Sequence, residues 1–380
     1  MTEGPMNIIA RASGVAGKSD GEPLKFIHCS DLHLDSSLET KLSGEDARRR
    51  RYEIVRAFER MVRRAEEQQV TGIIIAGDMF DADIVTARTR ETVLDIIRRT
   101  PAIDYLYLSG NHDSAERVFP LQRLPENLLT FRSQWQTYRY GNVDITGAEP
   151  DPQSSSGCFD SLSLNPDHVN IVTLHGQLSS QAGPDLIPLP ALQHKGIDYL
   201  ALGHLHSYRH GALDERGIYC YCGCPEGRGF DECGEKGFVL LSVSGNHLEH
   251  TFVPHAQRML FCVPTDITDC RTFPEILQRL RDTAAGIPPE SLVRFILTGA
   301  CAPDAQIDLP ALEQELAPLF FYAEIRNETS VSIDPATFLG DVSLKGEFIR
   351  KVLASKLPER DKDAVIRAGL QALGGEEITL

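Results

Sequence analysis

The sequence lacks long apolar runs, an export signal and an excess of positive charge. No apolar stretch approaches the roughly 20 residues that a membrane helix needs. Residues 1–22 contain no apolar segment typical of a secretory signal, so no membrane or export route is expected. With 38 Lys and Arg against 54 Asp and Glu, the net charge is −16. This charge argues against tight, independent binding of bare nucleic-acid backbone, which would need metal ions, a local basic strip or a basic partner.

A disulfide framework is also missing. The nine cysteines are scattered and odd in number, which favours reduced thiols in the cytoplasm. Four lie close together, at Cys220, Cys222, Cys224 and Cys233. They could bind zinc, but Cys-x-Cys-x-Cys lacks the paired spacing of structural zinc sites. Small residues in a reduced loop are the favoured interpretation.

The chain is long enough for one large core and a smaller second unit. Residues 1–23, rich in Gly, Ser and Ala, are expected to be a disordered lead-in. Residues 24–263 alternate apolar strands with amphipathic helices, which predicts a large α/β domain. Residues 264–332 predict a small α+β domain, and residues 333–380 predict a linker and two short helices. These helices either dock a partner or pack on their own domain.

One stretch, Gly72–Asp81, contains the clearest strand. Its apolar run ends at Gly77, and Asp78 follows directly. A carboxylate at the end of a buried strand lies where α/β folds place their ligands. We therefore predict that Asp78 bridges two metal ions and that other strand ends converge on it.

Four further predicted strands end in residues of the same kind. The polar residues that follow them are Asp31, His33, Asn111, His112, Asp113, His175, His204 and His206. Helices connect the first three strands, so these strands should share one sheet edge. Imidazole, carboxylate and carboxamide ligands suit Mn, Zn or Fe, and the donors exceed what one ion needs. The sequence thus predicts two ions, an arrangement suited to attack on phosphorus.

The remaining strands predict a second sheet. Trp135–Tyr140 and Val143–Gly147 have the pattern of antiparallel strands, and His247–Val253 with Arg258–Val263 is expected to form a hairpin. A helix predicted over Gly44–Gln69 carries a stripe of arginines at Arg48, Arg56, Arg60 and Arg64. This stripe either contacts phosphates or a partner, or is a solvated face balanced by glutamates. The solvated face is the favoured interpretation for charge runs of this kind.

Five motifs together resemble the signature of the calcineurin-like metallophosphoesterases: Asp31-x-His33, Gly77-Asp78, Gly110-Asn111-His112-Asp113, His175-Gly176 and Gly203-His204-x-His206. The resemblance implies an α/β fold, a two-sheet sandwich flanked by helices. It implies that one ion is bound by Asp31, His33, Asp78 and His206, and the other by Asp78, Asn111, His175 and His204. It also implies that His112 stabilises or protonates the leaving oxygen and that Asp113 orients His112. Beside these, we expect Asp81 and His28 to support the site through hydrogen bonds.

A narrower resemblance covers more of the chain. Phe26–Asp35, Gly77–Asp81 and the loop Tyr221–Gly237 look like the SbcD-type DNA repair nucleases, and Asp341–Phe348 resembles the tail of their YhaO-type branch. This implies a DNA exonuclease, which could also have endonuclease activity. It also implies two divalent metal ions, for which Mn²⁺ is the favoured choice. It also implies a capping domain over residues 264–332 and an SMC-like SbcC-type ATPase partner on the C-terminal tail. A homodimer stays open.

Two alternatives remain beside this interpretation. The first is a phosphodiesterase or phosphatase that acts on small nucleotides. The second is a scaffolding subunit with a vestigial site, which the sequence opposes because every ligand position is kept.

Overall fold

The computed structural model describes residues 7–11, 22–35, 38, 42, 44–81, 85–113, 118, 124–149, 157–181, 185–302, 305–331 and 341–374. Contacts between Cα atoms divide the chain into two compact units, Met1–Met259 and Leu260–Leu380. The sequence placed a boundary at residues 263 and 264, close to this division. None of the helices that the structure describes has the length and apolar content that a membrane span requires.

The first unit combines fifteen strands with four helices in its described part. Its strands are β1 (Asn7–Ala10), β2 (Leu24–Cys29), β3 (Gly72–Ala76), β4 (Asp104–Leu108), β5 (Leu128–Thr130), β6 (Gln136–Tyr140), β7 (Val143–Gly147), β8 (Val169–His175), β9 (Gln177–Ser179), β10 (Leu186–Pro188), β11 (Tyr199–Gly203), β12 (Arg209–Ala212), β13 (Ile218–Tyr221), β14 (Gly237–Ser244) and β15 (His247–Pro254). Its helices are α1 (Gly44–Glu67), α2 (Ala87–Arg99), α3 (Gly157–Asp160) and α4 (Leu189–Leu192).

Two large mixed sheets confirm the predicted sandwich. One has the strand order β15-β14-β2-β3-β4-β5, and the other has the order β1-β6-β7-β8-β11-β13-β12. Phe26 and Ile74 of the first sheet meet Ile145 and Ile171 of the second in a shared core. Side chains alternate across a strand, so Ile27 faces away from this core and packs in the outer layer.

Helices α1 and α2 belong to that outer layer. Phe58 and Met61 of α1 and Val93 of α2 are fully buried there together with Ile73 of β3. Burial of each side chain of this size contributes roughly 1.5–3 kcal/mol relative to exposure. The helix α2 begins after Thr86, whose hydroxyl accepts a hydrogen bond from the Thr89 amide at 3.2 Å. The helices therefore brace the strands that lead to the polar clusters.

Residues 7–10 correct the prediction of a disordered lead-in. They form β1, which pairs in parallel with β6 at the edge of the second sheet. The Arg11 guanidinium, directly after β1, donates to the Asp104 carboxylate at 2.8 and 3.0 Å. A short strand of this kind depends on a partner edge that is distant in sequence, so local composition does not reveal it. Residues 1–6 and 12–21 lie outside the described residues.

The hairpin predicted from His247–Val253 and Arg258–Val263 is wrong. The strand β15 pairs with the preceding strand β14, and Ser244 faces His247 across a two-residue turn. Gly245 in that turn has a φ of 58°, a conformation typical of tight hairpins. The next strand, β16, belongs to the second unit and pairs with a strand there.

The second unit contains a three-stranded parallel sheet, β16-β17-β19. Its elements are β16 (Leu260–Asp266), α5 (Phe273–Thr283), β17 (Leu292–Thr298), β18 (Ala300–Cys301), α6 (Leu309–Leu316), β19 (Tyr322–Asn327), β20 (Ser330–Val331), α7 (Leu344–Leu353) and α8 (Glu359–Gly374). Apolar residues of α5 and α6 pack on this sheet. The helices α7 and α8 pack on each other through Ile349, Val352 and Ile366. Residues 332–340, within the predicted linker, lie outside the described residues.

Candidate metal centre

The five predicted strand ends meet at one place in the first unit. The strands β2, β3 and β4 are parallel neighbours, so their carboxyl ends share one sheet edge. The parallel strands β8 and β11 end together in the second sheet. The two edges are joined because His175 Nδ1 lies 2.9 Å from the carbonyl oxygen of Ala76. The Asp31 amide also donates to the Gly77 carbonyl at 3.1 Å, which fixes two strand ends against each other.

Side chains that can bind a metal converge there in two groups. One group is Asp31, His33 and His206, and the other is Asp31, Asp78 and His175, with donor atoms within 4.8 Å of one another in each. The Asp78 Oδ2 atom lies 3.7 Å from His33 Nε2 and 3.3 Å from His175 Nε2. Asp31 is common to both groups, and Asp78 lies within 4 Å of an imidazole of each, so the bridging role of Asp78 stays a prediction.

The other two predicted ligands lie beside the second group. The Asn111 Oδ1 atom is 2.7 Å from His175 Nε2. The His204 ring centroid is 5.5 Å from that of His175, and the His204 amide donates to the Asp31 carboxylate at 3.0 and 3.1 Å. The seven predicted ligands are therefore brought together, and their division between two ions stays a prediction.

His33 gives the test of whether these residues fit a metal. It is buried, yet neither ring nitrogen has a hydrogen-bond partner within the described part of the chain. Unmet polar atoms in a protein interior are costly, and a divalent cation would satisfy one of them. Burial, with a smaller effect of Arg228, lowers the pKa of His33 to about 3. The ring is consequently neutral near pH 7, which is the form that binds metals.

The carboxylates respond to their neighbours in different ways. Burial raises the pKa of Asp31. Burial alone would also raise the pKa of Asp78, but the hydrogen bond and charge of His175 lower it. The same contact raises the pKa of His175 to about 9, although burial opposes this. Asp78 is therefore held as a carboxylate, the form that a bridging ligand requires.

Four of the proposed ligands have a left-handed backbone. The φ angles of Asp31, His33, Asp78 and His204 are 51°, 42°, 51° and 100°. Non-glycine residues rarely adopt this region, and each instance costs on the order of 1–3 kcal/mol. Such strain concentrates at functional sites, where surrounding contacts hold it.

Gly110 explains how the loop after β4 reaches the site. A Cβ atom at this position would lie 2.0 Å from Asp78 Oδ1. Only glycine allows the backbone to pass so close to that carboxylate. The His112 amide then donates to the same Oδ1 atom at 2.9 Å. The loop thus holds Asp78 through its backbone.

His112 lies at the rim, with 53% of its side chain exposed. Its ring centroid is 5.2 Å from that of His33. The structure places Asp81, rather than Asp113, beside it, with Asp81 Oδ1 3.5 Å from His112 Nδ1. Asp113 is buried and accepts hydrogen bonds from the amides of Gly110 and Phe80 at 2.9 and 3.0 Å, and burial raises its pKa to about 6. These contacts assign Asp113 to holding the loop and correct its predicted contact with His112.

His28 is a core residue. It is fully buried in β2, and its Nδ1 atom lies 2.9 Å from the Tyr199 hydroxyl of β11. Burial lowers the pKa of His28 to about 3. This hydrogen bond joins the two sheets and does not reach a proposed ligand, in contrast to the prediction.

Sequence reasoning missed the support behind His206. The Glu232 carboxylate lies 2.7 Å from His206 Nδ1, and Arg228 donates to Glu232 at 2.7 and 3.1 Å. Burial alone would raise the pKa of Glu232, but His206 and Arg228 lower it to about 2. The buried Lys236 also donates to the His206 carbonyl at 2.7 Å. Three charged residues within one short loop after the last metal motif were the available signal.

The cysteine cluster has no common centre. Cys222 Sγ lies 3.1 Å from the Ser30 hydroxyl, Cys224 Sγ lies 3.8 Å from Glu232, and Cys233 Sγ lies 3.2 Å from the Phe230 carbonyl. All the cysteines in the described ranges that can be assessed are free thiols. Among the described residues, the groups that could hold a metal ion lie at the strand ends.

The chain is similar to a known protein family and to several named proteins. Residues 24–208 match the family described as calcineurin-like phosphoesterases. The chain is 25% identical to the uncharacterized metallophosphoesterase YhaO of Bacillus subtilis, over 93% of this chain and 94% of that protein. It is 22% identical to a component of the nuclease SbcCD of Escherichia coli, over 93% of this chain and 99% of that component.

A third relative is the DNA double-strand break repair protein Mre11 of Methanosarcina acetivorans. The identity is 23%, over 73% of this chain and 46% of that protein. The family match over residues 24–208 contains all five polar clusters, so the resemblance of the motifs to the calcineurin-like phosphoesterases is confirmed. Residues 24–208 belong to the calcineurin-like phosphoesterase family, and the chain carries a metallophosphoesterase domain, which is a hydrolase domain.

Proposed function

We propose that this chain is a DNA exonuclease that depends on two divalent metal ions, with Mn²⁺ as the metal, and that it acts in the processing and repair of DNA ends. The observation that carries the proposal is the position of the Asp78 carboxylate between His33 and His175. Similarity to a nuclease component and to a double-strand break repair protein supports DNA as the substrate.

The chain's own residues have distinct tasks in this proposal. Bound ions would activate a water molecule for in-line attack and neutralise the phosphate oxygens. Asp31, His33, Asp78, Asn111, His175, His204 and His206 would hold the ions. Burial of Asp31, His33, Asp78 and His175 would exclude bulk water from one side. His112, exposed at the rim, would donate a proton to the leaving oxygen. Asp81 orients the His112 ring through the Nδ1 atom.

The second unit supplies the proposed contacts with partners. We propose that residues 264–332 cap the DNA and that the tail docks an SbcC-type ATPase. In support of docking, Leu344 of α7 and Val365 of α8 are exposed, and Val342 before them is 99% exposed. A cytoplasmic location and a homodimer stay predictions. Deletion of residues 341–380 should abolish co-purification of the ATPase, and unchanged co-purification would refute tail docking.

A second candidate is hydrolysis of small nucleotide diesters. The net charge of −16 favours it, because an acidic chain repels a long polyanion. The two candidates differ in whether cleavage depends on a polymer.

The test compares two substrates with one preparation. The full chain with Mn²⁺ is incubated with end-labelled duplex DNA and with a small chromogenic diester. We expect stepwise shortening of the DNA, and loss of that activity in His112→Ala but not in His194→Ala, an exposed histidine outside the motifs. Hydrolysis of the small diester without any DNA degradation, even with an ATPase partner present, would sink the nuclease proposal and favour the second candidate.

A further inference from the structure

A cavity of about 440 Å³ opens between α1 and the segment that follows β15, and we call it the basic cavity. Its lining residues include Arg60, Arg63, Arg64, Lys236 and His255, with Glu67 and Glu235 as its acidic members. Three arginines and the buried Lys236 thus line the cavity with two glutamates, in a chain whose net charge is −16. Three of the basic residues come from the arginine-rich helix that the sequence analysis singled out.

One arginine of the cavity, Arg60, also belongs to a buried ion network. Arg50 bonds Glu226 at 2.8 Å, and Arg258 bonds Glu53 at 2.7 Å. All four residues are buried, so two arginines balance two glutamates inside the protein. Arg60 reaches the same Glu226 at 3.2 Å, with 28% of its side chain exposed, and Arg49 reaches Glu53 at 3.3 Å, so arginines outnumber glutamates in these pairs. Arg60 of the stripe is therefore only partly solvated, and the neighbouring Arg50 is buried.

The two arginines nearer to solvent, Arg63 and Arg64, have N–H groups that are not used in hydrogen bonds within the described residues. Arg63 is exposed, and its guanidinium makes no hydrogen bond or ion pair with any residue that the structure describes. Arg64 makes one long hydrogen bond, from Nη1 to the Pro254 carbonyl at 3.5 Å. A guanidinium presents several N–H donors in a plane, which suits the oxygens of a phosphate. Burial lowers the pKa of the neighbouring His255; Arg60 and Arg64 also lower it, whereas the Ala57 carbonyl and Glu226 oppose them.

The basic cavity lies at the same sheet edge as the metal centre. Val239 pairs with His28, so the start of β14 lies at the carboxyl end of β2, which leads to Asp31. Pro254, in the cavity wall, pairs with Gly237 at that end. Lys236 links the two places directly, because it lines the cavity and donates to the carbonyl of His206 at 2.7 Å.

We propose that the basic cavity binds phosphate groups of the nucleic-acid substrate and holds the strand beside the metal centre. The inference rests on the proposed nuclease function and deepens it. It also explains how so acidic a chain would bind DNA, because contact with the backbone is confined to one basic strip. Phosphate could reach the cavity on a polymer or on a free mononucleotide, and the experiment separates these sources.

The experiment measures binding apart from cleavage. The full chain with Mn²⁺ is titrated into a fluorescent single-stranded oligonucleotide with phosphorothioate linkages, which slow hydrolysis, over a series of NaCl concentrations. The double variant Arg63→Gln/Arg64→Gln is compared with Arg63→Lys/Arg64→Lys, which keeps the charge. Arg48→Gln/Arg51→Gln is the matched control, because it removes two exposed arginines from the same helix outside the cavity.

We expect the glutamine variant to bind about tenfold or more weakly at low salt. Its plot of log affinity against log salt should lose about 1.4 in slope, the value for two phosphate contacts on a single strand. The lysine variant should keep most of the slope, and the Arg48/Arg51 control should stay within about twofold of the wild type. Thermal unfolding of each variant shows that the fold is kept.

Two outcomes would overturn the proposal. One is equal binding by the wild type and the glutamine variant, or an equal loss in the Arg48/Arg51 control. The other is weaker binding of a labelled mononucleotide with unchanged binding of the oligonucleotide, which would assign the cavity to a free nucleotide. Absence of DNA cleavage by the wild type is a separate result, which concerns the proposed function.

Discussion

Glu232 accepts a hydrogen bond from Nδ1 of His206 at 2.7 Å. Its carboxylate is itself held by Arg228, so the imidazole has a fixed partner on the side away from the metal centre. The other ring nitrogen, Nε2, faces Asp31 at 3.8 Å. A carboxylate behind a metal-binding imidazole sets its tautomer and orientation and increases its basicity.

The Glu232→Gln variant should therefore bind metal more weakly. We expect its affinity for Mn²⁺ to fall about 10–100-fold, as is usual when the outer partner of a metal-binding histidine is lost. Calorimetric titration of the metal-free chain with Mn²⁺ checks this without any activity assay. Glu235→Gln is the control, because Glu235 is exposed and three residues away in the same loop. Equal affinities in both variants would contradict the role of Glu232.

Asp78 and His33 should differ in how much metal their loss removes. Asp78 Oδ2 is within 4 Å of an imidazole of each group, whereas His33 is predicted to bind one ion only. We expect Asp78→Ala to retain almost no metal and His33→Ala to retain about one ion per chain. Elemental analysis after dialysis gives the ratio of metal to protein. A lower metal content in His33→Ala than in Asp78→Ala would refute the bridging role.

Asp81 and Asp113 should have separate effects, because they make different contacts. Asp81→Asn should lower kcat on the order of tenfold with unchanged metal content, since its carboxylate lies beside His112 at the rim. Asp113→Asn should instead lower the free energy of unfolding by about 1–3 kcal/mol, because two backbone amides donate to that buried carboxylate. Steady-state kinetics and chemical denaturation measure the two effects. Loss of kcat in Asp113→Asn without loss of stability would restore the sequence-based assignment.

His28 predicts a loss of stability in acid. Its pKa is about 3 in the folded chain and 6.5 ordinarily, so between these values only the unfolded chain binds the proton. The free energy of unfolding should therefore fall as the pH drops below about 6.5, by about 2 kcal/mol at about pH 5. Denaturation of the metal-free chain over this range tests it. His28→Gln should lose this part of the pH dependence, and Tyr199→Phe, which keeps the imidazole, should retain it.

The strand ends were predictable because their signal is local. A buried strand such as Gly72–Ala76 needs only its own apolar run, and the polar residue after it can be read directly. The contact of Glu232 with His206 could not be predicted, since a loop brings together two side chains that are 26 positions apart. Similarly, nothing near Arg50 in sequence indicates that it is buried against Glu226, 176 residues away. Asp113 was assigned to His112 from the family resemblance, whereas its carboxylate accepts from the backbone amides of Phe80 and Gly110.

The left-handed backbone at Asp31, His33 and Asp78 restricts which residues can replace them, in addition to the restriction from metal binding. A replacement must both donate to a metal and tolerate a positive φ, and among common residues only Asn, Asp and His combine these properties. Exchanges among these three should therefore spare the fold while they change the metal that is bound. A β-branched residue at the same positions would strain the loops even in the metal-free chain.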